Sequence, residues 1–188
     1  MSASLAVTGS SGALGGLVAR GVTEFGVPSI LVVRSADRAP QLPGTEVREA
    51  SYADADASAL ALRGVKTLFM VSASESADRL VQHRNFVIAA AEAGVEHIVY
   101  TSFVGASPDC TFTLGRDHAT TEESIRQTGM DFTILRDNFY LDFFQHLPGE
   151  DGAIRGPAGD GRVAGVARAD VARVALEVLK DPVAHRGA

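Results

Sequence analysis

The feature that most constrains the fold is a glycine-rich segment near the start of the chain, Thr8-Gly9-Ser10-Ser11-Gly12-Ala13-Leu14-Gly15. It follows a short apolar run and precedes a helical pattern, so it predicts a turn from a strand into a helix. Gly9 permits a positive φ, Gly12 lets a ligand approach the main chain, and Gly15 allows close packing of helix and strand. Because the N-terminus of a helix attracts anions, the segment predicts a phosphate-binding loop of a dinucleotide site. Glycines spaced in this way also occur in ordinary turns.

The rest of the chain alternates short runs rich in Val, Ile and Leu with longer amphipathic stretches. We predict strands at residues 5–8, 30–34, 46–49, 67–71, 97–101 and 131–136. We predict helices at residues 14–25, 55–62, 77–93, 118–128 and 170–180, and a loop at 145–165. This alternation is typical of a Rossmann-type α/β fold, a doubly wound parallel sheet with helices on both faces. A flavodoxin-like strand order obeys the same alternation.

Composition limits the classes of function. The chain has 188 residues, 46% of them apolar, and a net charge of -6. One domain with one core is expected at this length. The negative charge does not favour binding of nucleic acid, and no apolar run is long enough for a membrane span. The uncharged opening residues do not predict a signal peptide, and Cys110 is the single cysteine, so a cytoplasmic protein is expected.

The residue at the end of the second predicted strand indicates which dinucleotide is bound. NAD-binding folds place an acidic side chain there, which accepts a hydrogen bond from the ribose 2'-hydroxyl. Here the position is occupied by Arg34. A guanidinium pairs well with a 2'-phosphate, so NADPH is the predicted cofactor. The alternative is that Arg34 is a solvated charge at a strand end.

Several segments carry a family resemblance. They are Val33-Arg34, Ser72-Ala73-Ser74-Glu75, Gln82-His83-Arg84-Asn85, Tyr100-Thr101-Ser102 and Leu135-Arg136-Asp137-Asn138-Phe139-Tyr140. Together with the glycine segment, they resemble the NmrA-like group of atypical short-chain dehydrogenase/reductases. Within that group the likeness is closest to the NADPH:quinone oxidoreductases of type 2. The resemblance implies a single NAD(P)-binding Rossmann domain over residues 1–188. Relatives are longer, so a C-terminal substrate-covering region is expected to be incomplete here.

The resemblance also implies which residues contact NADPH. The implied contacts are Gly9, Ser11, Gly12, Ala13 and Leu14 at the pyrophosphate, Arg34 at the 2'-phosphate, Asp54 near the adenine, and Ser72 and Ser74 beneath the nicotinamide ribose. Ser51 stands where relatives commonly have an Asp, which weakens the expectation for the adenine.

The catalytic pair of ordinary short-chain reductases is absent from the sequence. The slots for its Tyr and Lys hold Leu114 and His118. A quinone accepts hydride without a strong general acid, so the resemblance implies an NADPH-dependent oxidoreductase acting on a quinone or similar small conjugated electrophile. We hypothesise that Asn138 and Tyr140 flank the quinone while His118 assists at its oxygen. The alternative is that His118 is a surface residue near the start of a helix.

The remaining polar residues suggest no further site. His83 is interpreted as a solvated polar position, and Arg79 as an exposed helix charge. No metal site is predicted, because the histidines are dispersed and Cys110 has no partner. A catalytically inactive NAD(P)-binding redox sensor of NmrA type is the alternative function. The expected partner is a small quinone-like molecule, and association into a homo-oligomer is left open.

Overall fold

The computed structural model describes residues 3–156 and 159–188. Its strands are β1 (Leu5–Thr8), β2 (Ser29–Val33), β3 (Thr45–Glu49), β4 (Thr67–Met70), β5 (His97–Phe103) and β6 (Asp131–Asp137). Its α-helices are α1 (Ala13–Glu24), α2 (Ala55–Ala61), α3 (Arg79–Glu92), α4 (Thr113–Gln127), α5 (Leu141–Phe144) and α6 (Arg168–Lys180). Short 3-10 turns occupy Ala36–Arg38 and Pro182–His185.

The six strands form one parallel sheet in the order β3-β2-β1-β4-β5-β6. This order confirms the predicted Rossmann-type fold and excludes the flavodoxin-like order. After β3 the chain crosses to the other side of β1, so the direction of winding reverses between β1 and β4. A crevice opens at such a point outside the carboxyl ends of the strands, and ligands of open α/β sheets bind there.

Helices cover both faces of the sheet, as predicted. The four central strands β1, β2, β4 and β5 are buried on both sides, so their alternate residues contribute to two separate apolar cores. One core joins the sheet to α2, α3 and α4, and its largest members are Ile30, Leu62, Leu68, Met70, Phe86, Ile98, Tyr100 and Ile125. The other joins the sheet to α1 and α6 through Val7, Val18, Val22, Leu31, Phe69, Val99, Val171 and Val178.

The packing of α1 against the end of β1 requires glycine at position 15. A Cβ at Gly15 would lie 2.3 Å from the carbonyl oxygen of Gly9 and 2.7 Å from that of Thr8. Both atoms belong to the backbone, so a neighbouring side chain cannot move aside to make room. The third glycine of the segment therefore has the packing role expected from the sequence.

One helix start was predicted wrongly. The sequence suggested that α4 begins at His118, whereas it begins at Thr113. Gly115 lies inside the first turn, where a Cβ would meet the Cys110 sulfur at 2.5 Å. This glycine therefore permits close packing of the loop before the helix and does not interrupt the helix. His118 consequently lies one turn into α4.

The predicted loop at residues 145–165 agrees with the structure over the described part of this range. The short helix α5 precedes it and was not predicted, and a single parallel bridge joins Tyr140 to Val166. Residues 145–156 and 159–165 form neither helix nor strand, and residues 157 and 158 lie outside the described part. Within the described residues no helix is both long and apolar enough to cross a membrane.

A buried polar layer joins α3, α4 and β5. The Arg79 guanidinium is 2% exposed, so its interpretation as a solvated charge is wrong. It donates to Asp117 Oδ2 and to His118 Nε2, each at 3.2 Å. Because an arginine only donates, Nε2 of His118 is the acceptor and its Nδ1 carries the proton, which it donates to the Tyr100 hydroxyl at 2.9 Å. Burial and then the charge of Arg79 lower the pKa of His118 to about 4.

His83 belongs to the same layer, and its interpretation as a solvated position is also wrong. The ring is fully buried, and its Nδ1 lies 3.0 Å from the Thr121 hydroxyl. Burial and the nearby charge of Arg79 lower the pKa of His83 to about 3. His83 and His118 are therefore both neutral at physiological pH.

A buried carboxylate fastens α4 to the two neighbouring strands. Glu122 accepts hydrogen bonds from Ser102 at 2.6 Å, from Arg136 at 2.9 and 2.7 Å, and from Arg126 at 3.2 Å. Burial by itself would raise the pKa of Glu122, but hydrogen bonds from Arg136, Ser102 and Arg126 outweigh it and the pKa is lowered. The carboxylate is thus ionised and fully partnered, as a buried charge requires.

Replacing Gly15 by alanine tests the close packing of α1. We expect Gly15→Ala to lower the free energy of unfolding by about 1–3 kcal/mol, because the added methyl overpacks a backbone contact. The measurement is denaturant unfolding. Gly156→Ala is the control, since none of the described residues has an atom within 4 Å of a Cβ at that position, and it should change stability by less than about 0.5 kcal/mol. A Gly15→Ala protein as stable as this control would contradict the packing role.

The neutral histidines predict a pH dependence of stability. The pKa of His118 is lower in the folded chain than its ordinary value of 6.5, so the unfolded chain binds more protons between about pH 4 and 6.5. Stability should therefore be complete above this range and fall as the pH is lowered through it. His118→Gln, which keeps an acceptor for Arg79, should reduce the slope of unfolding free energy against pH by about 1.4 kcal/mol per unit near pH 5. An unchanged slope would contradict the assignment, and the exposed His146→Gln is the control.

Candidate dinucleotide site

A cavity of about 470 Å³ lies at the carboxyl ends of β1, β2 and β4. It occupies the crevice where the winding of the sheet reverses. Four groups of residues line it: the glycine loop after β1, the end of β2, residues 50–52 after β3, and the segment after β4 together with Ser76 and Gln82. The sequence-predicted residues in this lining are Gly9, Ser11, Gly12, Arg34, Ser72 and Ser74.

The glycine loop presents backbone to the cavity. Gly9 has a φ of +62°, and Gly12 precedes the first turn of α1 as its N-cap. In the described part of the chain no side chain caps this helix, so its first-turn N–H groups, which include those of Ala13 and Leu14, are available to an anion. The Leu14 side chain itself is buried in the core, so Ala13 and Leu14 contribute backbone to the loop.

Arg34 lies at the end of β2 with its side chain exposed at the cavity. The two nearby carboxylates are engaged elsewhere: Asp37 accepts from the Ser35 hydroxyl, and Glu49 accepts from the Ala36 N–H. Among the described residues no carboxylate lies within ion-pairing distance of Arg34. Its guanidinium is thus open to an incoming anion.

Side-chain hydrogen bonds hold the segment that follows β4. The Ser72 N–H donates to the Thr101 hydroxyl at 2.9 Å. The Ala73 N–H donates to Nε2 of His83 at 2.9 Å, and Nε of Arg79 donates to the Ala73 carbonyl at 3.0 Å. The wall of the cavity at residues 72–74 is therefore attached to the polar layer behind it.

Tyr52 joins the ends of β1 and β4 at the floor of the cavity. The Val71 N–H donates to the Thr8 hydroxyl at 2.9 Å, Thr8 and the Tyr52 hydroxyl are 2.6 Å apart, and Tyr52 donates to the Val71 carbonyl at 2.8 Å. The Tyr52 ring stacks on Phe86 with centroids 4.1 Å apart. Burial raises the pKa of Tyr52, so the hydroxyl stays protonated and keeps this ring of hydrogen bonds.

Asp54 is placed differently from the other predicted contacts. Its carboxylate caps α2 by accepting from the Ala57 N–H at 2.9 Å, and it is not among the residues that line the cavity. The acid at this position therefore has a helix-capping role in the structure.

Asn138 and Tyr140 follow the end of β6, away from the first cavity. Asn138 lines a second cavity of about 460 Å³ between β6 and α6, and its Oδ1 accepts from the Phe139 N–H at 2.8 Å. Tyr140 donates its hydroxyl proton to Asp137 at 2.6 Å, and the Arg168 guanidinium lies 4.7 Å from the centre of its ring. Burial raises the pKa of Asp137 to about 6 despite the hydrogen bond from Tyr140.

His118 does not have the environment expected of a proton donor to a substrate. It is 6% exposed and is absent from the described lining of both cavities. Both ring nitrogens already bond Arg79 and Tyr100. Burial and then the charge of Arg79 lower the pKa of His118 to about 4, so the ring carries no extra proton to donate at neutral pH. Its interpretation as a surface residue is wrong.

Three phenylalanine rings form an aromatic cluster at the carboxyl ends of β5 and β6. Phe103 lies 5.4 Å from Phe112 and 5.3 Å from Phe139, and Phe112 lies 5.7 Å from Phe139, measured between ring centroids. Phe112 is 38% and Phe139 43% exposed. Sequence reasoning missed the cluster, because the three residues come from three separate segments.

The first cavity fits a phosphorylated dinucleotide. Helix N–H groups and a Cβ-free backbone at Gly12 suit the pyrophosphate, and the unpaired guanidinium of Arg34 suits a further phosphate at the far end. In the residues the structure describes, no cluster of three or more His, Cys, Asp or Glu side chains is placed to hold a metal ion.

Comparison with curated proteins gives related sequences. Quinone oxidoreductase 2 of Escherichia coli is 36% identical over 191 residues, which cover 97% of this chain and 66% of that protein. The NAD(P)H azoreductase of Xenophilus azovorans is 29% identical over 181 residues, which cover 94% of this chain and 63% of that protein. The chain spans just under two thirds of the length of these relatives.

Comparison with solved structures gives the same fold. The triphenylmethane reductase of Citrobacter sp., complexed with NADP(H), is 37% identical with a TM-score of 0.89; the match covers 98% of this chain and 68% of that one. The NADPH-dependent quinone oxidoreductase of Escherichia coli, complexed with NADPH, is 36% identical with a TM-score of 0.86, covering 97% of this chain and 66% of that one. Residues 9–182 also match the sequence family described as NAD(P)H-binding. Since that match takes in nearly the whole chain, the protein belongs to this NAD(P)H-binding family.

Proposed function

We propose that the chain is an NADPH-dependent oxidoreductase that transfers a hydride to a quinone or a similar small conjugated electrophile. The observation that carries the proposal is the first cavity, in which the glycine loop and the unpaired Arg34 face one crevice. The 36% identity to quinone oxidoreductase 2 of Escherichia coli supports the class of acceptor. We also propose that residues 1–188 act as a single dinucleotide-binding domain.

The residues have separate proposed roles toward NADPH. Backbone of the glycine loop, at Gly9, Ser11, Gly12, Ala13 and Leu14, binds the pyrophosphate, and Arg34 pairs with the 2'-phosphate. Ser72 and Ser74 lie beneath the nicotinamide ribose. Asp54 acts near the adenine only by fixing the start of α2, because its carboxylate is occupied by the Ala57 N–H.

The acceptor site is proposed at the carboxyl ends of β5 and β6. When bound, the cofactor supplies a hydride, which together with one proton converts a quinone to a hydroquinone. The aromatic cluster offers apolar ring faces on which a flat conjugated acceptor packs. Asn138 and Tyr140 flank this acceptor. His118 is proposed to contribute by holding Arg79, since both of its nitrogens are engaged.

Arg34→Ala tests the choice of cofactor. A charge-assisted contact to a phosphate contributes about 1.5–3 kcal/mol, so the Kd for NADPH should rise by about 10- to 100-fold while that for NADH changes by less than about twofold. Isothermal titration calorimetry measures both. Arg38→Ala is the matched control, because Arg38 is exposed in the adjacent turn but does not line the cavity. Equal losses for the two dinucleotides would show that Arg34 does not bind the 2'-phosphate.

Quinone reduction tests the reaction itself. With 1,4-benzoquinone, the protein should oxidise NADPH well above the rate in buffer, followed by the loss of NADPH absorbance. Asn138→Ala should lower kcat/KM for the quinone by about tenfold, in line with the loss of one hydrogen bond, while the Kd for NADPH stays unchanged. Exposed Gln145→Ala is the control. NADPH binding without turnover would contradict the reductase, and unequal affinity for NADPH and NADP would then favour a sensor.

A further inference from the structure

Two side chains of α3 hold both polar groups of a single residue in the cavity wall. His83 accepts from the Ala73 N–H at 2.9 Å, and Arg79 donates to the Ala73 carbonyl at 3.0 Å. Arg79 and His83 are four residues apart, so they lie on one face of α3. His83 is fully buried and Arg79 is 2% exposed. We call this arrangement the Ala73 clamp.

Residues of α4 support the clamp from behind. Asp117 and His118 bond the Arg79 guanidinium, and Thr121 bonds Nδ1 of His83. Because Nε2 of the neutral His83 ring accepts from Ala73, its proton lies on Nδ1 and is donated to Thr121, whose hydroxyl donates to the Asp117 carbonyl. The two nitrogens of His83 therefore have separate functions. Nδ1 joins α3 to α4 through Thr121, and Nε2 positions Ala73.

The clamp acts where the sheet itself provides no hydrogen bonds. Residues 72–74 follow the end of β4 and belong to no strand or helix, so their backbone has no ladder to fix its direction. Burying a guanidinium and an imidazole carries a large desolvation cost, and apolar residues would pack α3 against α4 without it. In this protein the hydrogen bonds of the two groups fix the geometry of the Ala73 peptide.

We propose that Arg79 and His83 are positioning residues, which hold residues 72–74 in the conformation that receives the nicotinamide half of NADPH. This inference rests on the proposed function. Neither Arg79 nor His83 is among the residues that line the first cavity, but together they set the direction of the Ala73 peptide and of the Ser72 and Ser74 side chains beside it. Within the described residues, the glycine loop and Arg34, to which we assign the phosphates, form no hydrogen bond with Arg79 or His83.

Two substitutions at position 83 separate the functions of the ring nitrogens. His83→Gln places an amide oxygen near the position of Nε2 and keeps an acceptor for Ala73, but loses the bond to Thr121. His83→Asn keeps a donor near the position of Nδ1 for Thr121, but loses the acceptor for Ala73. We expect His83→Asn to raise the Kd for NADPH by about tenfold, as the loss of one hydrogen bond implies, and His83→Gln to change it by less than about threefold.

A ligand that corresponds only to the adenine half of NADPH distinguishes a local effect of the substitution from general destabilisation of the protein. The nucleotide 2',5'-ADP carries the adenine ribose and its 2'-phosphate but no nicotinamide, so His83→Asn should leave its Kd within about twofold of the native value. Calorimetry with NADPH and 2',5'-ADP measures both affinities. Two results would overturn the clamp. One is an equal loss of NADPH affinity in the Asn and Gln variants. The other is an equal loss of affinity for NADPH and for 2',5'-ADP in His83→Asn.

Failure of the clamp can be distinguished from failure of the proposed function. Arg34→Ala should weaken both ligands. If native protein binds neither ligand, the proposed function is wrong, and the clamp as a cofactor-positioning device falls with it. Amide hydrogen exchange in the native protein without NADPH tests the clamp without any variant. The Ala73 N–H should be protected, and exchange as fast as that of an exposed loop amide would overturn the proposal.

Discussion

The contact between Gly15 and the carbonyl of Gly9 is the constraint on which both the fold and the site depend. It brings the N-terminus of α1 against the end of β1, with no room for even one methyl group. The same contact seats Val18 and Val22 in the core under the sheet. Because the helix begins there without a side-chain cap from the described residues, its N–H groups face the crevice. Close packing and anion binding thus have a common cause.

The opposite wall of the crevice is organised by buried polar groups. Residues 72–74 are not part of the sheet, and their backbone is directed by Thr101, His83 and Arg79. This arrangement depends on two neutral histidines, which burial and the charge of Arg79 keep unprotonated. The polar layer between α3 and α4 therefore contributes both to the stability of the fold and to the shape of the site. The glycine loop contributes to both through its backbone alone.

The sequence was sufficient for features that depend on local patterns. The six strands, the glycine loop and the exposed cation at Arg34 follow from periodicity, turn chemistry and chain position. Arg79 and His83 were misinterpreted, because a charge and an imidazole near a helix start normally face solvent. Their burial results from α4, whose contacting residues lie 38 or more positions away. The start of α4 was predicted five residues too late, because the packing of Gly115 against Cys110 is not visible in the sequence.

We conclude that the crevice between β1 and β4 binds NADPH through the backbone amides of the glycine loop on one wall and through residues 72–74 on the other, where buried polar groups fix the backbone. The most direct measurement is a titration with NADPH followed by backbone amide chemical shifts. Binding in this crevice should produce concerted shifts at Gly12, Ala13 and Leu14 and at residues 72–74, with little change on the solvent face of α6 around Val174. Shifts confined to other parts of the chain, or their absence at millimolar NADPH, would contradict it.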